Sequence, residues 1–590
     1  MKPTDIDNAE YFHKVIDCQF ACPAHTPVPE YIRLIRHGKY DEAFEINWQS
    51  NVFPGILGRI CDRPCEPACR RTRVEETPVA ICRLKRVAAD NKSPGTDFTP
   101  KISVPKNGKK IGLIGGGPAS LTVARDLLTL GYDIDLYDDQ SKAGGFIRTQ
   151  VPSFRLPEKV LNEEVDRILD MGVNTIFDTY IDNVKEFANK GYDAIFIGTG
   201  APRGRDLPDL PGRLEGEESI FIGIEWLAGV LYRHSTRVPR KVMGGGNTAM
   251  DCCRTARRLG GEDVQVIVRS PRSDMKASPW EIEDAEEEGI PVVDNHSPLD
   301  FVVKDGKLVG MHFEKMTATY DEQGRRTLTP SDEPPVFIAC DLVLLAVGQQ
   351  NAFPWIESDS GIEMDERGMP IVDKTTHQST VANIFFGGDA AFGPQNVITA
   401  VAHGHQAAIS IDLFCQGKDL NDRPAPLTSL ASQKLDMHDW LYDSDVSEHQ
   451  RFVVPTMDRV KSLKDRLLEV ELGYGRKTGH KEAMRCLNCD VQTVFDYSTC
   501  IECDACVDVC PVSCINFTEN GDEKDLRERL LAPADNQEQS LYVSPVLPTG
   551  RVMIKDENVC LHCGLCAERC PTSSWEMMKY TYNSALAGQK

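Results

Sequence analysis

Two stretches of this 590-residue chain carry four cysteines each at one shared spacing. Cys500, Cys503, Cys506 and Cys510 run into Pro511, and Cys560, Cys563, Cys566 and Cys570 run into Pro571. The pattern C-x2-C-x2-C-x3-C-P belongs to a two-cluster iron–sulfur fold, in which the fourth thiolate of each run ligates the other cluster. One 4Fe–4S cluster is therefore expected on Cys500, Cys503, Cys506 and Cys570. The second is expected on Cys560, Cys563, Cys566 and Cys510. Zinc ribbons pair C-x2-C units without this tail.

The chain has 21 cysteines and 41% apolar residues. Its cores are large enough to need no disulfide staples. The cysteines gather in metal-ligand spacings near both ends, which points to a reducing, cytoplasmic compartment. A net charge of −23 argues against nucleic acid as a partner. The first residues, MKPTDIDNAEYFHKVIDC, lack the apolar core of a signal segment. The longest apolar run, Phe337 to Val347, contains Asp341 and is too short to span a bilayer, so no direct membrane insertion is expected.

A second duplication lies between the cysteine-rich ends. In IGLIGGGPASLTVARDLLTLGYDIDLYDD, an apolar strand enters Gly115, Gly116 and Gly117, a helix opens at Pro118, and the next strand ends at Asp138. Such a turn brings a pyrophosphate to a helix N-terminus and sets an acid against ribose hydroxyls. Ser120 stands where the fingerprint wants its third glycine. In KVMGGGNTAMDCCRTARRLGGEDVQVIVRS, Gly244, Gly245 and Gly246 repeat the turn. There the second strand ends in Arg269, with Arg272 beyond it. Arginine binds a 2′-phosphate that a carboxylate would repel, so NADP(H) is preferred over NAD(H). A third strand–loop–helix, FFGGDAAFGPQNVITAVAHGHQAA, places Asp389 after Gly387 and Gly388. Cys252 and Cys253 are adjacent on the helix after the second turn. Their side chains diverge by about 100°, so packing rather than a dithiol is expected.

Together, GGGPAS, PSFRLPEKVL, YDAIFIGTGAPRG, GGGNTAMDCCRTARRLG, LLAVGQ and GGDAAFGPQNV resemble the glutamate synthase small-subunit family, which includes the N-terminal half of dihydropyrimidine dehydrogenase. The resemblance spans roughly residues 10–490. It implies FAD in the first site and NADPH in the second. For these cofactors it singles out Gly115, Gly117, Pro118, Ala119, Asp138, Gly145 and Arg155, then Gly388, Asp389, Gln395 and Val397. In the second site it singles out Gly244, Gly246, Asn247, Thr248, Arg269 and Arg272. The family often has two adjacent arginines after the second-site strand. Here Ser270 takes the second place, which leaves NADH open.

The resemblance also reads the remaining cysteines. Cys61, Cys65 and Cys69 in GRICDRPCEPACRR resemble a cluster loop of that family, and Cys82 is expected as the fourth ligand because thiolate is the usual one. Cys18 and Cys22 are half a set. The phrase EAMRCLNCD, which stands upstream in glutamate synthase small subunits, follows the flavin domain here. Cys486 and Cys489 are therefore expected to fold back to Cys18 and Cys22, some 460 residues away. Four clusters would use sixteen cysteines and leave Cys252, Cys253, Cys340, Cys415 and Cys514.

The expected fold is α/β, with two Rossmann-like dinucleotide-binding domains, a helical N-terminal Fe–S domain and a C-terminal ferredoxin-like α+β domain. The expected divisions are 1–105 for the N-terminal domain, 106–235 with 346–420 for FAD, 236–345 for NAD(P), 421–485 for a linker with a helix, and 486–590 for the ferredoxin-like domain. The implied activity is electron transfer between NAD(P)H and a partner redox protein through FAD and four clusters. Partner classes are a 2-oxoacid oxidoreductase, a hydrogenase, a molybdenum or tungsten dehydrogenase, or a ferredoxin. A glutamate synthase small subunit and a non-catalytic Fe–S scaffold are the alternatives.

Overall fold

The computed structural model of the protein describes every residue except 97, 101, 103, 233–236, 443–444, 533–536 and 590. The boundary expected at 235/236 lies outside the described residues. The chain forms two units. One comprises Met1–Phe98, Arg423–Val454 and Gly473–Lys590; the other comprises Thr99–Asp422 and Pro455–Leu472.

The central unit contains two parallel five-stranded sheets. In the first, Lys110–Ile114 lies between Ala194–Ile197 and Asp133–Tyr137, with Ile384–Phe386 and Asn174–Ile176 outside them. In the second, Lys241–Met243 lies between Val343–Leu345 and Gln265–Ile267, flanked by Ile220–Ile222 and Val292–Val293. Most of these strand residues are buried, as expected of parallel strands covered on both faces. An antiparallel sheet of four strands, drawn from residues 296–339, is inserted before Val343–Leu345. The short pair Arg203–Gly204 with Gln349–Gln350 connects the two Rossmann-like halves.

Ser120 explains its own tolerance at the third fingerprint position. A Cβ on Gly198 would come 2.3 Å from Ser120 Oγ, so the space saved by the usual helix glycine is here supplied by the strand. The PSFRLP segment binds the first half to the second. Arg155 donates from Nη1 to both Asp251 oxygens at 2.8 Å and pairs through Nη2 with Glu281 at 2.6 Å. Arg258 lies over the Phe154 ring at 3.9 Å and pairs with Glu288. Breaking one such buried pair costs about 3–5 kcal/mol.

In the other unit, helices Val28–Arg36, Tyr40–Asn51, Pro54–Ile60, Ile81–Asn91 and Arg476–Ala483 pack together. Two three-stranded antiparallel sheets carry the C-terminal part: Leu427–Ser432, Trp575–Asn583 and Val491–Phe495, and Ile515–Thr518, Val552–Lys555 and Tyr542–Val543. The segment between 421 and 485 serves both units, and between Met457 and Leu472 it forms only the short helix Arg459–Ser462. Met457 and Leu472 instead donate to the carbonyls of Val470 and Pro455, and Val470 donates to Phe154. Tertiary pairing outweighs local helical periodicity there. Among the described residues, no helix is long and apolar enough to cross a membrane.

Candidate functional site

One cleft of about 1430 Å³ runs over both glycine turns of the central unit. A single small-ligand site is usually about 300–1,000 Å³, so the cleft has room for more than one ligand. At its first end, Gly117 precedes helix Pro118–Leu128, whose N-terminal amides open into the cleft. Asp138 accepts from the Gly116 amide at 2.6 Å and the Gln140 amide at 2.8 Å. Burial pushes its carboxyl up to about 6. Asp389 accepts from the Gln395 amide at 2.9 Å and is also raised by burial to about 6. Both acids line the cleft, where a ribose or ribityl hydroxyl could donate to them. The neighbouring His405 bonds Asp126 through Nδ1 at 2.5 Å and is part of the core, not the cleft.

At the second end, Gly244 has φ +141°, and a Cβ there would strike the Ala346 carbonyl at 2.2 Å. Gly246 precedes helix Asn247–Arg258. Asn247 Oδ1 accepts from the Ser278 amide at 2.8 Å and holds the loop that carries Asp274 to Lys276 against the turn. Arg269, Lys276 and Arg326 line this end. Arg326 comes from the inserted sheet and pairs with Asp274 at 3.0 Å. Cys252 and Cys253 are buried in the helix, and burial pushes both thiols up.

The sixteen expected cysteine ligands all lie in the other unit. Cys18, Cys69, Cys486 and Cys489 surround one small cavity, together with Asp17, Arg70 and Arg71. Cys61, Cys65 and Cys82 sit in mutual contact, with Cys22 in electrostatic reach of Cys65. Burial opposes a charge on Lys85, yet Cys61, Cys82, Cys22 and Cys65 together push its ammonium pKa up. The two N-terminal sets expected from sequence thus exchange one member each: Cys22 joins the Cys61 group and Cys69 joins the Cys486 group. In the C-terminal part, Cys570 lies with Cys500 and Cys506, and Cys510 with Cys560 and Cys563. Cys514 is buried with its sulfur 3.5 Å from that of Cys510.

The sets share loop geometry. Arg63, Asn488, Glu502 and His562, each two residues after a cysteine, have φ between 51° and 59°. The amides of Arg63, Glu502 and His562 point to the sulfurs of Cys61, Cys500 and Cys560 at 3.3–3.4 Å. His25, Ser513 and Ser573, each three residues after a Cys-Pro cysteine, are also left-handed. Left-handed non-glycine backbone costs about 1–2 kcal/mol per residue and gathers at functional sites. Four thiolates with amides aimed at sulfur suit a 4Fe–4S cube. Arg70 lines the Cys18 cavity, and its buried Nη2 finds no acceptor among the described residues, an orphaned donor that fits an anionic group.

Residues 109–404 match the family described as pyridine nucleotide-disulphide oxidoreductase. The chain belongs to that family. Residues 12–95 match dihydropyrimidine dehydrogenase domain II, 4Fe-4S cluster, and residues 499–574 match a 4Fe-4S dicluster domain. The chain is 33% identical to the NADP(+)-dependent formate dehydrogenase subunit beta of Moorella thermoacetica, over 80% of this chain and 70% of that one. It is 31% identical to the NADPH-Fe(3+) oxidoreductase subunit beta of Geobacter sulfurreducens, over 82% and 77%. It is 29% identical to the glutamate synthase small chain of Azospirillum brasilense, over 67% and 86%. This pyridine nucleotide-disulphide oxidoreductase is an NAD(P)H oxidoreductase whose cofactors are FAD and 4Fe–4S clusters.

In this oxidoreductase the cleft gathers Gly115, Gly117, Pro118, Ala119, Asp138 and Gly145 with Gly388, Asp389, Gln395 and Val397. It also gathers Gly244, Gly246, Asn247, Thr248 and Arg269. Two residues expected at cofactors lie elsewhere. Arg155 faces Asp251 and Glu281, and Arg272 is held by Glu286 at 2.6–3.0 Å. Sequence reasoning missed Lys276 and Arg326. The first is only four residues past Arg272, but the second is 57 residues past Arg269 and no local motif marks it.

Proposed function

We propose that the chain is the electron-transfer subunit that moves electrons between NADP(H) and the other subunits of a larger redox enzyme, with one FAD and four 4Fe–4S clusters. The observation that supports this reading is that cysteines far apart in sequence lie together, Cys18 and Cys69 with Cys486 and Cys489, and Cys22 with Cys61, Cys65 and Cys82, on loops of matching backbone geometry. The ligand sets would be Cys18, Cys69, Cys486 and Cys489; Cys22, Cys61, Cys65 and Cys82; Cys500, Cys503, Cys506 and Cys570; and Cys560, Cys563, Cys566 and Cys510. When bound, the nicotinamide and flavin exchange a hydride, and the clusters accept single electrons. The chain's own work is alignment. The first glycine turn and Asp138 would hold the FAD pyrophosphate and ribose, and Asp389 the ribityl region. Arg269, Lys276 and Arg326 would receive the 2′-phosphate.

Two relatives carry "subunit beta" in their names, which supports a hetero-oligomer whose partner holds the final substrate. A formate dehydrogenase is the partner class favoured by the first of them. Cys503 and Cys563 are exposed, giving the dicluster domain an outlet toward such a partner. The second reading, a glutamate synthase small chain, has the Azospirillum relative in its favour, and the added dicluster domain against it.

Anaerobic analysis of fresh protein should find about 16 irons and one FAD per chain. A reproducible value near half would remove the N-terminal clusters. NADPH should bleach the flavin at lower concentration than NADH. Arg269→Ala and Arg326→Ala should each weaken NADPH binding about ten- to a hundredfold, the loss of a charge-assisted contact of about 1.5–3 kcal/mol, with little change for NADH. Equal losses for both nucleotides would defeat the 2′-phosphate assignment. Glutamate formation with a glutamate synthase large subunit would favour the second reading.

A further inference from the structure

Arg70 is fully buried and stands between two of the proposed cluster sites within one unit. It follows Cys69 directly in sequence and lines the cavity formed with Cys18, Cys486 and Cys489. Its Nη1 donates to the Cys560 carbonyl at 2.6 Å and the Glu557 carbonyl at 2.8 Å, and meets His562 Nε2 at 2.8 Å. Its Nε donates to Asp17 at 2.7 Å, beside Cys18. Nη2 is left over, buried and without an acceptor among the described residues. One side chain therefore touches the loop of the Cys560 set and faces the Cys18 set.

We propose that Arg70 is the positioning residue that couples these two sites, providing the bonded route for electrons from the N-terminal clusters to the C-terminal pair. This rests on the ligand sets proposed above. The route is short in bonds: the Cys69 backbone, the Arg70 side chain, one hydrogen bond, then the Cys560 backbone. With clusters bound, the transfer of one electron would oxidise the donor by one unit and reduce the acceptor by one. No covalent bond changes and no proton moves, because a guanidinium keeps its proton. The same fixed positive charge would favour the reduced form of a cluster held by the Cys18 set.

The test uses the full-length, cluster-loaded chain, with Arg70→Met and Arg70→Lys compared with wild type. Iron and FAD contents and flavin bleaching by NADPH are measured first. Freeze-quench EPR then follows the order in which clusters are reduced, and a redox titration gives their potentials. In Arg70→Met, flavin bleaching stays as in wild type, while reduction of the C-terminal pair slows about tenfold or more. The Cys18-set potential falls by about 60 mV, a tenfold change in the reduced fraction. Arg70→Lys restores that potential, but its single amine cannot span both sites, so the lag persists. Wild-type timing at the C-terminal pair in either iron-replete variant would overturn the proposal. If Arg70→Met loses iron, Arg70→Lys alone decides: a lag supports the proposal and wild-type timing overturns it. A wild type with fewer than four clusters would instead refute the ligand sets themselves.

Discussion

In the C-terminal pair of cluster sites all eight cysteines lie between Cys500 and Cys570. In the N-terminal pair six lie between Cys18 and Cys82, and two come from Cys486 and Cys489. Loop chemistry is nevertheless shared. Each Cys-Pro cysteine, Cys22, Cys510 and Cys570, leads to a left-handed residue three positions on, and each lies apart from the cysteine four residues before it. The run Cys18-x3-Cys22-Pro23 thus matches the C-x3-C-P tail of the dicluster pattern, while Cys486-x2-Cys489 matches its start. The two pairs differ in exposure as well: all eight N-terminal thiols are buried, while Cys503 and Cys563 reach solvent. Ligand geometry and chain connectivity are separable, and burial divides along connectivity.

The sharpest way to break this comparison is by cysteine substitution. Cys69→Ala should abolish the same EPR signal as a Cys486→Ala/Cys489→Ala pair, about four irons, while Cys22→Ala abolishes a different one. A Cys22→Ala protein lacking the Cys486-dependent signal would restore the partition expected from sequence. Next in size is the response to a chelator with mild oxidant. Iron should leave in two phases, with about half, from the C-terminal pair, lost first; one phase would show that exposure of Cys503 and Cys563 does not govern lability. Smaller shifts are expected from the buried lysines. Lys85 stands by the Cys61 set and Lys555 by the Cys560 set. Lys85→Met and Lys555→Met should each lower one cluster potential, on the order of 60 mV or less, in different members of the titration. Both variants moving the same cluster would contradict the geometry. The smallest effect is Asn488→Gly, which removes a left-handed strain of about 1–2 kcal/mol but loosens the unfolded chain, so thermal unfolding should shift up by at most a few degrees. A clear loss of stability would mean that the Asn488 side chain, not its backbone, supports the loop.

Much of the fold was legible because its signals are local. A strand, three glycines, a helix and a second strand occupy about thirty residues, and all but two of the expected cofactor residues line the cleft. The dicluster spacing likewise announces its crossed pairing. What sequence could not show was set by long-range packing. Arg155 looked like a cofactor residue because its motif neighbours the flavin turn, yet Asp251 and Glu281 claim it. Arg326 arrives on a strand of the inserted sheet, and nothing near it in sequence marks a phosphate. The exchange of Cys22 and Cys69 had a readable sign, Pro23, but Cys61, Cys65 and Cys69 form an evenly spaced triplet that invites a single set.

The placement of Cys486 and Cys489 also imposes a timetable. At about 5–20 residues per second, roughly 20–80 s of synthesis separate the emergence of Cys69 from that of Cys486. The Cys22, Cys61, Cys65 and Cys82 set is complete once the first 82 residues have left the ribosome. The set proposed beside it would leave Cys18 and Cys69 as free thiols until Cys489 has emerged. On the proposed ligand sets, maturation would be staged, with one iron–sulfur site able to form on the nascent chain and the site beside it closed only after translation has passed the flavin domain.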